Sequence, residues 1–127
     1  MTRSATSITQ IATVAIPASD QERSLAFYVD VLGFEKTRDL PFGNGQRWIE
    51  VSPPAGGTTI AIPPPGEVTP GVDTGIRLTT ADAAADHAAL LAKEVDVDAE
   101  ILNFPGAPAM FTLRDPDGNR LYVVESM

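Results

Sequence analysis

Residues 14–34, VAIPASDQERSLAFYVDVLGF, contain the end of a predicted strand and a complete predicted helix. Apolar residues alternate well enough over residues 8–16 to predict the strand. Ser19 and Glu22 have the spacing of a capping box, which predicts Ser19 as the helix N-cap, and Gly33 fits the position just after the helix end. The apolar stripe of this helix comprises Leu25, Tyr28, Val29 and Leu32. This stretch therefore predicts a strand followed by an amphipathic helix.

Three more strands are predicted after this helix, over residues 34–38, 46–51 and 58–62. The next stretch, residues 63–73, is rich in proline and glycine, which are incompatible with a helix or a central strand. It therefore predicts a linker.

The same order of elements then repeats. A strand is predicted over 75–79, a helix from Thr80 to about Val95, and strands over 97–102, 109–114 and 121–125. The sequence Asp-Pro-Asp-Gly at 115–118 fits a type I turn. Asp20 and Asp82 open the two helices 62 residues apart, and Gly57 and Gly118 begin the two last strands 61 residues apart.

This duplication predicts an α+β fold of two βαβββ modules that form a curved sheet around a cavity. The 127-residue chain is then one domain, with module one at 8–62, a linker at 63–73 and module two at 74–127. The helices cover one face of each small sheet, and the opposite faces curve toward each other.

Composition excludes several function classes. The net charge is −8 and no run of lysine or arginine occurs, which disfavours nucleic acid and membrane surfaces as partners. The chain has no cysteine, so disulfides and thiolate metal sites are excluded. Met1–Ser7 lacks the apolar stretch of a signal peptide, which predicts a cytoplasmic protein.

Two segments carry a family resemblance. One is residues 14–34 with its FYVDVLGF ending, and the other is FTLRDPDGN at 111–119 followed by LYVVE at 121–125. Together they resemble the vicinal oxygen chelate superfamily, which includes glyoxalases, bleomycin resistance proteins and extradiol dioxygenases. The resemblance implies this fold and a homodimer, with the cavity formed within one chain or across two chains. It does not imply one activity, because the scaffold hosts many chemistries.

Enzymes of this family usually bind a divalent metal through four side chains that face the cavity. Those positions match Thr13, Ala61, Gly75 and Tyr122, none of which is an ordinary metal ligand in this setting. The sequence therefore predicts no metal and no other cofactor, and a divalent metal held by an atypical set of carboxylates stays an open alternative. The single histidine, His87, is predicted to face solvent on the second helix.

Strand alternation selects the residues of the predicted cavity face. From that face, the predicted ligand contacts are Thr13, Trp48, Glu50, Arg77, Met110, Arg114 and Tyr122. Small and aromatic residues with a few polar groups are typical of ligand pockets. Phe42 and Phe104 are predicted to line the entrance.

Several of these contacts have two interpretations. Arg77 pairs with a ligand carboxylate, or forms an internal bridge with Glu50. Glu50 is a general base if burial raises its pKa, or a surface carboxylate. Trp48 stacks on a ligand or fills the wall. Tyr122, the second catalytic candidate, donates a hydrogen bond to a ligand or plugs the vacated metal position. Arg114 contacts a ligand, or pairs with Asp115 or Asp117.

Two functions follow from this site. The first is a metal-free small-molecule-binding protein that sequesters an antibiotic or a metabolite, as some members of the superfamily do. The alternative is an enzyme, namely a lyase, isomerase or dioxygenase, that acts through Glu50, Arg77 and Tyr122 or through an atypical metal site.

Overall fold

A computed structural model describes residues 5–41 and 43–126 of the chain. The strands and helices of this part follow in the order β1 (Thr13–Ala15), α1 (Gln21–Ala26), a π-helical turn (Phe27–Val31), β2 (Glu35–Pro41), β3 (Arg47–Ser52), β4 (Thr59–Ile62), β5 (Asp73–Thr80), α2 (Ala83–Ala92), β6 (Met110–Arg114) and β7 (Arg120–Glu125). In the described part of the chain, no helix is long and apolar enough to cross a membrane.

The strands form two small sheets, one in each half of the chain. Sheet A has the order β1-β4-β3-β2, and sheet B has the order β5-β7-β6. In each sheet the first strand pairs in parallel with the last, and the remaining pairs are antiparallel. This arrangement confirms the predicted α+β fold.

The predicted strand over 97–102 is wrong. Only two isolated bridges form there, between Val97 and Leu113 and between Leu102 and Met110. Asp96, Asp98 and the neighbouring Glu100 are exposed, and the backbone bends at residues 99–100, between the two bridges, which interrupts a continuous ladder along β6. Sheet B therefore has three strands in the described chain rather than four.

Both predicted helix N-caps are also wrong. Asp20, not Ser19, caps α1 by accepting a hydrogen bond from the Arg23 N–H, and Asp82, not Thr80, caps α2. The Ser19 hydroxyl donates instead to Asp117, on the turn between β6 and β7. A contact 98 residues away has thus displaced the local cap that the sequence pattern favoured.

The core lies on the helix side of both sheets and joins the two modules into one cluster. Ile49 and Val51 of β3 are fully buried, as are Leu113 and Leu121 of sheet B. Tyr28, also fully buried, extends from the π-helical turn toward sheet B. The faces turned away from the helices, here called the outer faces, carry the alternate residues of each strand.

A polar contact between residues 19–28, which include helix α1 and the start of the π-helical turn, and the turn at 115–118 joins the modules and is here called the first junction. The Tyr28 hydroxyl donates to Asp115 over 2.8 Å, and burial raises the pKa of this hydroxyl well above its usual range, with the Asp115 charge adding to the effect. Asp117 accepts hydrogen bonds from Ser19 and Ser24 and forms an ion pair with Arg23. The first junction therefore fixes how the two modules pack.

We expect the first junction to make stability acid-sensitive. Burial alone would raise the pKa of Asp117, but hydrogen bonds from Ser19 and the Arg23 charge lower it below its usual value. A carboxyl whose pKa is depressed on folding stabilises the protein above its unfolded pKa, near 3.9, and loses that contribution as the pH falls through the folded pKa. The melting temperature should therefore fall below about pH 4, and less steeply in Asp117→Asn.

Thermal denaturation between pH 7 and pH 2 measures this dependence. Glu67→Gln, which changes an exposed loop carboxylate, is the matched control. Equal pH dependence in the parent chain and Asp117→Asn would show that this carboxylate has no part in acid unfolding.

Candidate functional site

The outer face of sheet A carries a hydrogen-bonded group centred on Glu50. Its carboxylate accepts from the Trp48 indole N–H and from the Thr59 hydroxyl, each over 2.8 Å, and Arg38 lies 3.9 Å away. Trp48 and Glu50 are half-buried. These bonds hold the indole in one orientation on the face of the sheet.

The interpretation of Glu50 as a base with a raised pKa is wrong. The Trp48 hydrogen bond lowers the pKa of Glu50, and although burial opposes it, the Thr59 hydrogen bond and the Arg38 charge lower the pKa further. A carboxylate stabilised in its ionised form is a weaker base near neutral pH. Glu50 is therefore suited to accept hydrogen bonds or to attract a cation.

The outer face of sheet B carries a stacked pair. The Arg77 guanidinium lies 4.2 Å from the centroid of the Tyr122 ring, and its Nη1 donates to the Gly75 carbonyl. The Tyr122 hydroxyl donates to Asp73 over 2.8 Å, which lowers the pKa of Asp73. The predicted Arg77–Glu50 bridge does not form between these two described residues, because each side chain is held on its own sheet.

One other predicted contact, Met110, lies on the neighbouring strand β6. Thr112 is opposite Tyr122 in the β6–β7 register, and Met110 is opposite Val124. Met110 is half-buried on β6. The structure therefore places Arg77, Tyr122 and Met110 on one sheet and Thr13, Trp48 and Glu50 on the other.

Of the two interpretations of Arg114, the pairing with Asp115 or Asp117 is wrong. Arg114 donates to Asp98 over 2.9 Å and to Asp96 over 3.4 Å, and the Asp98 bond raises the pKa of Arg114. Both partners belong to the segment that bridges to the edge of β6. Arg114 therefore fastens this segment to the sheet.

The prediction that His87 faces solvent is wrong. Only 8% of His87 is exposed, its Nε2 lies 2.7 Å from the Asp98 carbonyl, and its ring packs edge-on against Phe111. The isolated helix pattern gave no sign of this environment, because both partners come from other segments. His87 is thus a core residue of module two.

The residues at the usual metal positions do not fit a metal. The Thr13 hydroxyl donates to the Thr59 carbonyl, and the Tyr122 hydroxyl is bound to Asp73. Ala61 and Gly75 have no donor atoms in their side chains. Across residues 5–41 and 43–126, no group of three or more histidine or acidic side chains is arranged to hold a metal ion.

A cavity of about 520 Å³ is lined mainly by residues from the helix side of the sheets, together with Arg77 and Thr79 of β5. Its apolar wall includes Val14, Val31, Leu32, Phe34, Ile60, Ile76, Leu78, Leu90 and Val123. Of the seven predicted ligand contacts it includes Arg77 and none of the others. Sequence reasoning missed this cavity, because alternation assigned its strand residues to the core.

The predicted entrance residues, Phe42 and Phe104, do not support a cavity entrance formed within one chain. Phe104 is 60% exposed in the loop before β6, and Phe42 lies outside the described residues. On β5 the outer-face residues Arg77 and Thr79 are exposed. A closed cavity between the two outer faces therefore stays a prediction.

Comparison with known proteins agrees with the fold. The family model of the glyoxalase/bleomycin resistance protein/dioxygenase superfamily matches residues 10–123. The crystal structure of TnmS3, an antibiotic-binding protein from Streptomyces sp. CB03234, is 31% identical, with a TM-score of 0.85 over 96% of this chain and 99% of that one. A superfamily member from Sphaerobacter thermophilus is 34% identical, with a TM-score of 0.87 over 94% and 98% of the two chains.

A weaker match is the uncharacterized protein YetH of Bacillus subtilis. It is 37% identical over 57 residues, which is 45% of this chain and 48% of that protein. The match therefore covers about half of YetH. The two structural relatives, in contrast, match this chain over nearly its whole length. The chain belongs to the glyoxalase/bleomycin resistance protein/dioxygenase superfamily.

Proposed function

We propose that this protein binds a small organic molecule without a metal, and that it sequesters an antibiotic or another metabolite. The observation that carries the proposal is the half-buried Trp48 indole, which Glu50 holds in place on the outer face of sheet A. An oriented aromatic plane beside polar groups is typical of a ligand-binding wall. The likeness to an antibiotic-binding protein at 31% identity supports it.

The charges on the two faces define the ligand chemistry. On sheet A, the ionised Glu50 favours a cationic or hydrogen-bond-donating group beside the Trp48 ring. On sheet B, the Arg77 guanidinium lies over Tyr122 and favours a carboxylate or carbonyl oxygen. A planar aromatic molecule with polar groups at both ends fits these two faces.

We propose further that two chains form a homodimer, in which the outer face of sheet A in one chain is closed by sheet B of the other. β1 and β5 are both edge strands, each with one neighbour in its sheet. Ile8 and Ile11, just before β1, are 80% and 70% exposed. Open strand edges and exposed apolar residues favour association with a second chain.

We also propose that the protein is cytoplasmic.

Ligand titration tests the function. Trp48 is the single tryptophan of the chain, so its fluorescence reports binding at the outer face directly. The panel comprises planar cationic, planar carboxylated and non-aromatic antibiotics, with sedimentation measured in parallel. Saturable quenching, with each compound recovered unchanged by mass spectrometry, supports sequestration. A chemically altered compound would instead show an enzyme.

We expect the protein to bind less than about 0.1 divalent ion per chain after dialysis against Ni²⁺, Zn²⁺, Mn²⁺ and Fe²⁺, because the four usual ligand positions carry no suitable side chains. The melting temperature should likewise be unchanged by these ions. Elemental analysis and thermal denaturation measure both quantities. One ion per chain with a raised melting temperature would contradict the metal-free site.

A further inference from the structure

The two modules also meet where helix α2 (Ala83–Ala92) lies near the turn at 53–56, here called the second junction. The internal repeat relates the second junction to the first. Asp20 and Asp82, 62 residues apart, cap their helices with nearly equal backbone angles, φ −145° and ψ 104° against φ −149° and ψ 92°. The turns at 53–56 and 115–118 are separated by the same 62 residues, and each closes with a 2.9 Å bond from its last N–H to its first carbonyl. One offset therefore relates both the helix and the turn of the two junctions.

The second junction lacks the polar groups of the first. At the first, Tyr28 donates to Asp115, and Asp117 accepts from Ser24. The residues that the repeat places at the second junction are Leu90 for Tyr28, Pro53 for Asp115, Ala55 for Asp117 and Asp86 for Ser24. The turn thus offers no side-chain acceptor, and the helix offers a shorter apolar side chain in place of a phenol.

The cavity of about 520 Å³ lies at this second junction, and Pro53, Ala55, Asp86 and Leu90 all line it. Its volume is within the range of small-molecule sites. Trp48, Glu50 and Tyr122 do not line it, and the residues that it shares with the two outer faces are Thr59, Arg77 and Thr79. Leu90, the counterpart of Tyr28, lines this cavity, whereas the pocket of about 490 Å³ beside the first junction is lined by Phe27, Asp115, Pro116 and Gly118 and not by Tyr28.

The polar groups of the cavity are few. Asp86 is half-buried and accepts a hydrogen bond from the Thr80 hydroxyl. A carboxylate has about four acceptor positions, so most of its capacity remains after one such bond. The other charged lining residues, Arg77 and Lys93, are exposed. An apolar wall with one half-buried carboxylate selects an apolar ligand with a hydrogen-bond donor.

We propose that this cavity is a second binding site, for a small and mostly apolar aromatic molecule whose hydroxyl or amine group donates to Asp86. Such a molecule supplies at the second junction the ring and hydroxyl that Tyr28 supplies at the first. Phenols, naphthols and aromatic amines are the chemical class.

The test uses 2-naphthol as the probe and the full chain with labelled isoleucine, leucine and valine methyl groups. Binding at the cavity should shift the methyl resonances of Ile76, Leu78 and Leu90 in a saturable manner. Naphthalene has the same rings without the hydroxyl, and it should bind about tenfold more weakly, because it makes no hydrogen bond to the carboxylate. Equal affinity for the two probes would overturn the role of Asp86.

Two variants that fill the cavity from opposite walls test its location. Leu90→Tyr restores the residue found at Tyr28, and Leu78→Phe adds a ring from sheet B. Either variant that retains a cooperative thermal transition should abolish the methyl shifts, whereas Glu67→Ala, away from the cavity, should leave them unchanged. Shifts that persist in a filled and folded variant would overturn the proposal. So would 2-naphthol perturbing only the Trp48 indole, or no methyl shift up to its solubility limit.

Discussion

Replacing Asn119 with alanine is expected to lower the free energy of unfolding by about 3 kcal/mol. Asn119 is fully buried, and its amide forms four hydrogen bonds. Its Nδ2 donates to the Pro17 carbonyl and to Asp115, and its Oδ1 accepts from the N–H groups of Gly71 and Val72. The variant leaves several of these groups buried and unsatisfied, and each such group costs about 1–3 kcal/mol.

The position of these partners explains why the effect should be global. Pro17 follows β1, Gly71 and Val72 lie in the linker, and Asp115 begins the turn between β6 and β7. A single side chain therefore ties module one, the linker and module two together. Loss of this tie should lower the cooperative transition of the whole chain rather than loosen one segment.

Urea denaturation, followed by circular dichroism, measures the loss. Asn103→Ala, in an exposed loop, removes the same amide without breaking a buried network and should change stability by less than about 0.5 kcal/mol. A loss below about 1 kcal/mol for Asn119→Ala would show that water replaces the amide at this junction.

The elements that the sequence predicted well are those fixed by neighbouring residues. The helix that starts near Asp20 ends where Gly33 adopts φ +81°, and the Phe34 N–H returns to the Tyr28 carbonyl. The turn at 115–118 closes with a bond from the Gly118 N–H to the Asp115 carbonyl. In both cases the determining contacts lie within six residues along the chain, so a local pattern suffices.

The predictions that failed depend on distant partners. The Ser19 hydroxyl donates to Asp117 instead of capping helix α1. His87 is buried because its ring contacts Phe111 and the Asp98 carbonyl. Neither partner can be identified from helical spacing. Tertiary contacts override such local preferences because each contributes as much free energy as a helix cap.

The sequence predicted which residues of the candidate site share a face of a sheet, but it could not predict whether that face is enclosed. Alternation along the strands correctly grouped Trp48 with Glu50 and Arg77 with Tyr122, since side chains two apart, or paired in register, share a face. Whether a face is closed depends on how modules and chains pack. The cavity at the second junction likewise arises from the repeat, because Leu90 and Pro53 stand where the first junction has Tyr28 and Asp115. These pairs of residues can be matched only when the structure shows which helix faces which turn.

For the ligand with the highest affinity in the titration panel, Trp48→Ala should weaken binding about 30-fold, which corresponds to about 2 kcal/mol. The variant removes the aromatic plane and also frees Glu50 from one of its hydrogen bonds. Trp48→Phe keeps a ring but loses the N–H, so it should recover most of the affinity if stacking dominates. Because both variants lack the fluorescent reporter, isothermal calorimetry measures the affinities.

Arg77→Ala tests the contribution of sheet B, with a ligand that still binds when Leu78→Phe fills the cavity, because Arg77 also lines that cavity. In the dimer that we propose, this guanidinium on its Tyr122 platform contacts a carboxylate or carbonyl oxygen of the same ligand. The loss should be about tenfold for a carboxylated ligand, with Arg77→Lys recovering the charge and only part of the affinity, since a lysine lacks the planar fork. If Trp48→Ala weakens binding and Arg77→Ala does not, the ligand lies on sheet A alone, and the two outer faces do not form one site. If neither variant changes the affinity, ligand binding does not use the outer faces.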